Sequence, residues 1–179
     1  MEDWTIRNYN DQSKKEDWGI YLLDEPLAER LSGKLPHIDI DGTDFTIDWR
    51  LKELRETEAP WNRIDLGHLP LTENGESYHL LYDRQRHEAY PMPKSRGDLP
   101  EYVVLVELPN EIRLDPVAVA RQYGLSETAL LETHPMKMNH SATVKTLEEA
   151  GITTLKGLRQ DESRLTQNKK QQRKNGHGL

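Results

Sequence analysis

The densest chemistry in the chain lies in "LPHIDIDGTDFTIDW" (35–49), which sets Asp39, Asp41, Asp44 and Asp48 within ten positions. Clustered carboxylates are ligands for a hard cation, so Asp39, Asp41 and Asp44 are the candidate metal residues. A calcium loop needs acids at its first, third and fifth positions, Gly at the sixth and Glu at the twelfth. Here Gly42 follows the second acid directly, and the twelfth position from Asp39 is Arg50. A hairpin fits better. Asp41-Gly42 suits a two-residue type I′ turn. It would set Ile40 opposite Thr43, Asp39 opposite Asp44, and Ile38 opposite Phe45. Ile38, Ile40, Phe45, Ile47 and Trp49 then share one face. Asp39, Asp44, Thr46 and Asp48 share the other, as a half-buried antiparallel pair requires. Asp39 and Asp44 would face each other across the ladder, where like charges destabilise. Lys34, Arg50, water or a weakly bound cation could relieve them.

The second chemistry to consider is phosphate binding. After Glu162 the chain has no acid, while Arg164, Lys169, Lys170, Arg173 and Lys174 add five positive charges. The net charge is −7, so removing those five cations leaves −12 on residues 1–162. An acidic body argues against nonspecific nucleic-acid binding outside the tail, because phosphate contacts supply most of that affinity. "VAVARQYGLSETALL" has helix-turn-helix spacing at Ala120, Gly124, Leu125 and Leu130. Its second helix would offer Ser126, Glu127, Thr128, Glu132 and Thr133, whose acids repel a phosphate backbone. A structural helical hairpin explains the spacing better. "LEEAGITTLKGLRQ" resembles helix-hairpin-helix motifs, over about fourteen residues and without their Gly-x-Gly turn. That resemblance implies backbone amides that can meet a phosphate.

Other candidates carry less. "HPMKMNH" holds His134, Met136, Met138 and His140, soft ligands that would suit Cu(I), but a linker is the simpler reading. His79 and His87 fall on opposite faces of their expected hairpin, and His37 and His68 are isolated. There is no P-loop, no G-x-G-x-x-G, no G-x-S-x-G and no H-E-x-x-H. No Cys is present, which removes disulfides, thiol nucleophiles and cysteine-ligated metals. No catalytic residue and no cofactor is assigned.

These residues need elements to hold them. "EPLAERLSG" predicts a short helix, with Pro26 at its first helical position and Gly33 just past its end. Leu51 and Leu54 have the spacing of a helical turn or an irregular crossing. "APWN" reads as a turn anchored by Trp61, and "RIDLGHLPL" as an edge strand. "ESYHLLYDRQRHEAYP" predicts a second hairpin, with strands 77–82 and 87–91 and with Tyr78, Leu80, Tyr82, His87 and Ala89 on one face. "EYVVLVELP" predicts a buried central strand. Asp115, Pro116 and Gly124 mark the cap, first turn and end of a helix. Ser126 would cap another, and a further short helix would begin near Thr143.

Charged residues make up 31% of the chain and apolar residues 35%, which predicts a modest core and a solvated surface. The acidic start "MEDWTIRNYN" lacks the apolar run of a signal peptide, and no stretch approaches the roughly 20 residues that cross a bilayer. A soluble cytoplasmic protein is expected. The expected fold is α+β, with an antiparallel sheet made from two hairpins and a central strand, then a small helical C-terminal part. Residues 1–110 are expected to be mainly β, 111–162 helical and packed on them, and 163–179 a disordered basic tail. "IDGTDFTIDWRLKELRETEAPWNRI", with "LLYDRQRHEAY" and "LDPVAVARQYGL", is similar to uncharacterised bacterial proteins, some carried by mobile elements. That resemblance implies no activity. The expected function is non-enzymatic: an accessory protein that binds a protein partner. The alternative is a nucleic-acid-associated protein using residues 145–162 and the tail.

Overall fold

The structure, a computed structural model, describes residues 8, 10–13, 24–91 and 99–150. Residues 20–23, whose "IYLL" reads as a short buried strand, Trp4, Ile6 and Trp18, which read as docking points, and the basic tail lie outside the described residues. Among the described residues no helix is long and apolar enough to cross a membrane.

Helix α1 (Glu25–Leu31) starts at Asp24, whose side chain accepts the Leu27 N–H, and Gly33 follows it at φ +102. The chain then forms the 35–49 hairpin as read from its alternation. Strands β1 (His37–Ile40) and β2 (Thr43–Asp48) pair with Asp39 opposite Asp44 and Ile38 opposite Phe45. Asp41 and Gly42 have φ of +56 and +84, the two positive values a type I′ turn needs. Ile38, Ile40, Phe45, Ile47 and Trp49 are all buried. Strands β3 (Glu53–Glu56) and β4 (Arg63–Asp65) continue the meander, so Leu51 and Leu54 belong to a turn and a strand rather than to a helical turn. The ladder decides this: Leu54 pairs with Ile47 and enters the core, whereas Leu51 stays outside.

Strands β5 (Ser77–Asp83) and β6 (Glu88–Ala89) form the second hairpin, with Tyr82 opposite Ala89. Tyr78, Leu80 and Tyr82 point inward as expected, but His87 lies in the turn at φ +58. Strand β7 (Val103–Pro109) pairs with β5 along its whole length and carries another strand on its far side, so it is central. Helices α2 (Glu111–Leu114) and α3 (Pro116–Gln122) follow. The expected helix after Ser126 is absent, and residues 127–133 form turns instead. Ala129 N–H bonds Ser126 O and Leu131 N–H bonds Thr128 O, three residues back, while Leu131 drops into the cluster between α1 and α3. The helix-turn-helix and helical-hairpin readings both fail with it.

The α+β content is as expected, but one sheet was expected and two form. One has the order β4-β3-β2-β1-β8, the other β6-β5-β7-β9. Strand β8 (Asn139–Ser141) runs parallel to β1, and β9 (Thr143–Lys145) antiparallel to β7. A single extended segment therefore passes from one sheet to the other, a corner of the kind that joins packed sheets. Ala142 marks the crossing and donates its N–H to Asp39 O at 2.9 Å. The linker expected at 134–140 and the helix expected from Thr143 give way to this corner. Met136 is buried in the α1–α3 cluster, and Val144 packs on the main core. That core lies between the inner faces of the two sheets, with Phe45 and Tyr82 edge to face at 6.4 Å.

Candidate functional site

At the Asp41-Gly42 end of the sheets, each candidate metal carboxylate has its own protein partner. Asp39 accepts the Gly42 N–H at 3.2 Å. Asp41 receives both Nε and Nη2 of Arg84, across to the other sheet. Those Arg84 hydrogen bonds hold the Asp41 carboxyl below its ordinary range, against partial burial. Asp44 accepts from Thr57 Oγ1 at 2.6 Å and lies 2.8 Å from His37 Nδ1. Burial pushes the Asp44 carboxyl up, but the Thr57 and His37 hydrogen bonds outweigh it and bring it down. The Asp39–Asp44 repulsion is thus relieved by His37 and Thr57, not by Lys34 or Arg50. Among the described residues, no three His, Asp or Glu side chains are grouped so as to hold a metal ion.

The same end carries a clasp between the sheets. Asn62 Nδ2 donates to Glu56 Oε2 at 2.7 Å and to the carbonyls of Arg86 and His87 at 3.0 and 2.9 Å. His87 Nδ1 lies 2.9 Å from Glu56 Oε1. The 57–62 loop is therefore anchored by Asn62. Trp61, expected as the anchor, is 80% exposed.

A cleft of about 420 Å³ opens between the end of α1 and the β1–β8 seam, lined by Glu29, Lys34, Leu35, His37, Thr46, Met138 and Asn139. A His–Asp pair beside a cleft is what a general base needs. However, none of the described hydroxyls bonds to His37, and its partner Asp44 is about half exposed. Among the described residues the cleft has no assembled nucleophile. The Cu(I) candidates do not converge on a site: Met136 and Met138 pack with Leu27 and Val117, and His134 Nδ1 meets the Thr133 hydroxyl.

The opposite end of the sheets has a different character. Trp49 is buried at the end of β2 and donates Nε1–H to Gln122 Oε1 at 3.0 Å. Lys52 donates to the same oxygen at 2.8 Å, and its ammonium lies 3.3 Å from the centre of the Trp49 ring. Partial burial lowers the Lys52 pKa, against the pull of the Glu111 carboxylate. Nearby, the Tyr78 hydroxyl donates to Glu111, and burial with this carboxylate pushes the Tyr78 pKa up. Gln122 thus fastens the end of α3 to the β2–β3 turn. Three large apolar side chains stand outside this fastening: Leu51 at 49% exposed, Tyr123 at 68% and Leu125 at 49%.

α3 ends beside this face as its residues dictate. Asp115 caps Ala118 N–H, and Gly124 adopts φ +67. Leu125 N–H returns to Ala120 O and Gly124 N–H to Arg121 O, the two bonds of a Schellman ending. This ending turns Tyr123 and Leu125 outward. No family model, curated protein or solved structure matches the chain. The tail cations Arg164, Lys169, Lys170, Arg173 and Lys174 lie outside the described residues. Sequence reasoning missed Lys52 and Gln122 altogether. Their only signal was polar side chains next to a large aromatic and a helix end, too common to single them out.

Proposed function

We propose that this protein is a non-enzymatic interaction protein that docks a protein partner on the face formed by Leu51, Tyr123 and Leu125. The observation that carries the proposal is the exposure of three large apolar side chains on two elements that Gln122 locks together. Isolated surface leucines need no explanation, but a grouped apolar face marks a contact site. Fully burying one such side chain gains roughly 1.5–3 kcal/mol. Tyr is also enriched among the residues that dominate binding energy. Because the backbone beneath is already fixed, docking loses little further conformational freedom.

The test is affinity capture from the native cell with the full chain and with a Leu51→Ser, Tyr123→Ser, Leu125→Ser variant. Far-UV circular dichroism shows that the variant is folded. A partner held by the native chain and lost by the folded variant supports the reading. Equal capture by both places the docking surface elsewhere.

A further inference from the structure

The docking face leaves the cleft between the end of α1 and the β1–β8 seam unused. Strand register sets the polar lining of that cleft. Thr46 of β2 stands opposite His37 of β1, and His37 stands beside Asn139 of β8. Residues paired across strands share a face of the sheet. The three side chains therefore form a row over three adjacent strands, and all three line the cleft. Leu35 and Met138 line it as well and supply apolar walls. Its volume of about 420 Å³ falls within the roughly 300–1,000 Å³ of small-molecule sites.

The charges in the cleft wall are already paired. Lys34 Nζ donates to Glu29, and His37 Nδ1 lies 2.8 Å from Asp44 Oδ2. A charged ligand would have to break one of these pairs or leave its own charge without a partner. The uncharged polar groups, by contrast, are not engaged. Among the described residues the Thr46 hydroxyl, the Asn139 amide and His37 Nε2 make no hydrogen bond. An ionised Asp44 fixes the proton of neutral His37 on Nδ1, so Nε2 carries a lone pair and accepts. The Asn139 amide and the Thr46 hydroxyl can each donate and accept.

We infer that this cleft binds a small, uncharged aromatic molecule that bears an amide or a similar adjacent donor and acceptor. The ligand donates an N–H to His37 Nε2 and exchanges hydrogen bonds with the Asn139 amide and the Thr46 hydroxyl. Its ring lies against Leu35 and Met138, whose thioether favours contact with an aromatic ring. A purely apolar ligand would cover the three polar groups without satisfying them, which costs free energy.

The experiment follows the NMR signals of the His37 ring and the Met138 methyl in the full chain as benzamide is added. Benzoate and benzylamine, which share the ring but carry a charge, are titrated in parallel. Benzamide is expected to shift both signals saturably, with a Kd in about the millimolar range for so small a probe. Benzoate and benzylamine are expected to bind about tenfold more weakly. Thr46→Val and Asn139→Leu each remove hydrogen-bonding groups while keeping the bulk of the side chain. Each should weaken benzamide by about fivefold. If neither signal moves with any of the three compounds, the proposal is overturned. It is equally overturned if a charged compound binds the native chain as tightly as benzamide, or if both variants bind benzamide as the native chain does.

Discussion

Asp115 shows how much one side chain can determine. Its Oδ1 caps α3 at Ala118, and its Oδ2 accepts from Arg30 Nε of α1 at 2.9 Å, with both side chains buried. The cap was legible from the Asp-Pro pair. The ion pair was not, because its partner lies 85 residues away. Removing one member of a buried pair leaves the other charge stranded, which costs about 3–5 kcal/mol. Asp115→Ala should therefore lower the urea unfolding free energy by about that much. A companion Arg30→Met in the same chain should recover part of it. A loss no larger than that of a single helix cap, about 1 kcal/mol, would show that Arg30 is not stranded. Gly124 gives a smaller and cleaner case. A Cβ there meets nothing within 4 Å, so only the positive φ resists it. Gly124→Ala should cost about 1 kcal/mol from the left-handed backbone alone.

Legibility divides sharply among the elements. The β1–β2 hairpin was readable in register because alternation, an Asp-Gly turn and β-branched residues all agree there. The corner at 139–145 was missed although "NHSATVK" alternates too. His140, Ala142 and Val144 are the half-buried set, between exposed Asn139, Ser141 and Thr143. The signal was weak because the inward residues are small or polar, and because the strand's partners, β1 and β7, are remote in sequence. The cross-sheet clasps at Asp41–Arg84 and Glu56–His87–Asn62 were equally invisible, for the same reason. They carry a pH dependence. Asp41 is held down by Arg84. Glu56 is lowered by His87 and Asn62 against its burial. A carboxyl lowered in the folded state adds stability above its unfolded pKa and loses it as pH falls through the folded one. The ordinary values are 3.8 and 4.5, so stability should hold from neutral pH to about pH 5 and decline below about pH 4. Arg84→Gln should shrink the difference in urea midpoint between pH 7 and pH 3. An unchanged difference would show that the Asp41 contact does not persist in solution.

At the scale of the molecule, two sheets enclose one core and present chemically unlike ends. One end carries exposed Leu51, Tyr123 and Leu125 beside the Gln122 fastening, and the other the Asp41–Arg84 and Glu56–His87–Asn62 contacts between the sheets. The sequence predicted an acidic body with a solvated surface, but not which side chains would gather at which end. That placement depends on which turns meet, and so on sheet topology that no local pattern contains. The central claim is that the Leu51–Tyr123–Leu125 face is where a partner protein sits. The most direct measurement is site-specific photo-crosslinking in the native cell, with a photoreactive side chain placed in turn at Leu51, Tyr123, Leu125 and, as a control on another face, Lys34. The expected result is one protein adduct of the same mass at the first three positions and none at Lys34. Adducts absent from those three, or equally present at Lys34, would contradict it.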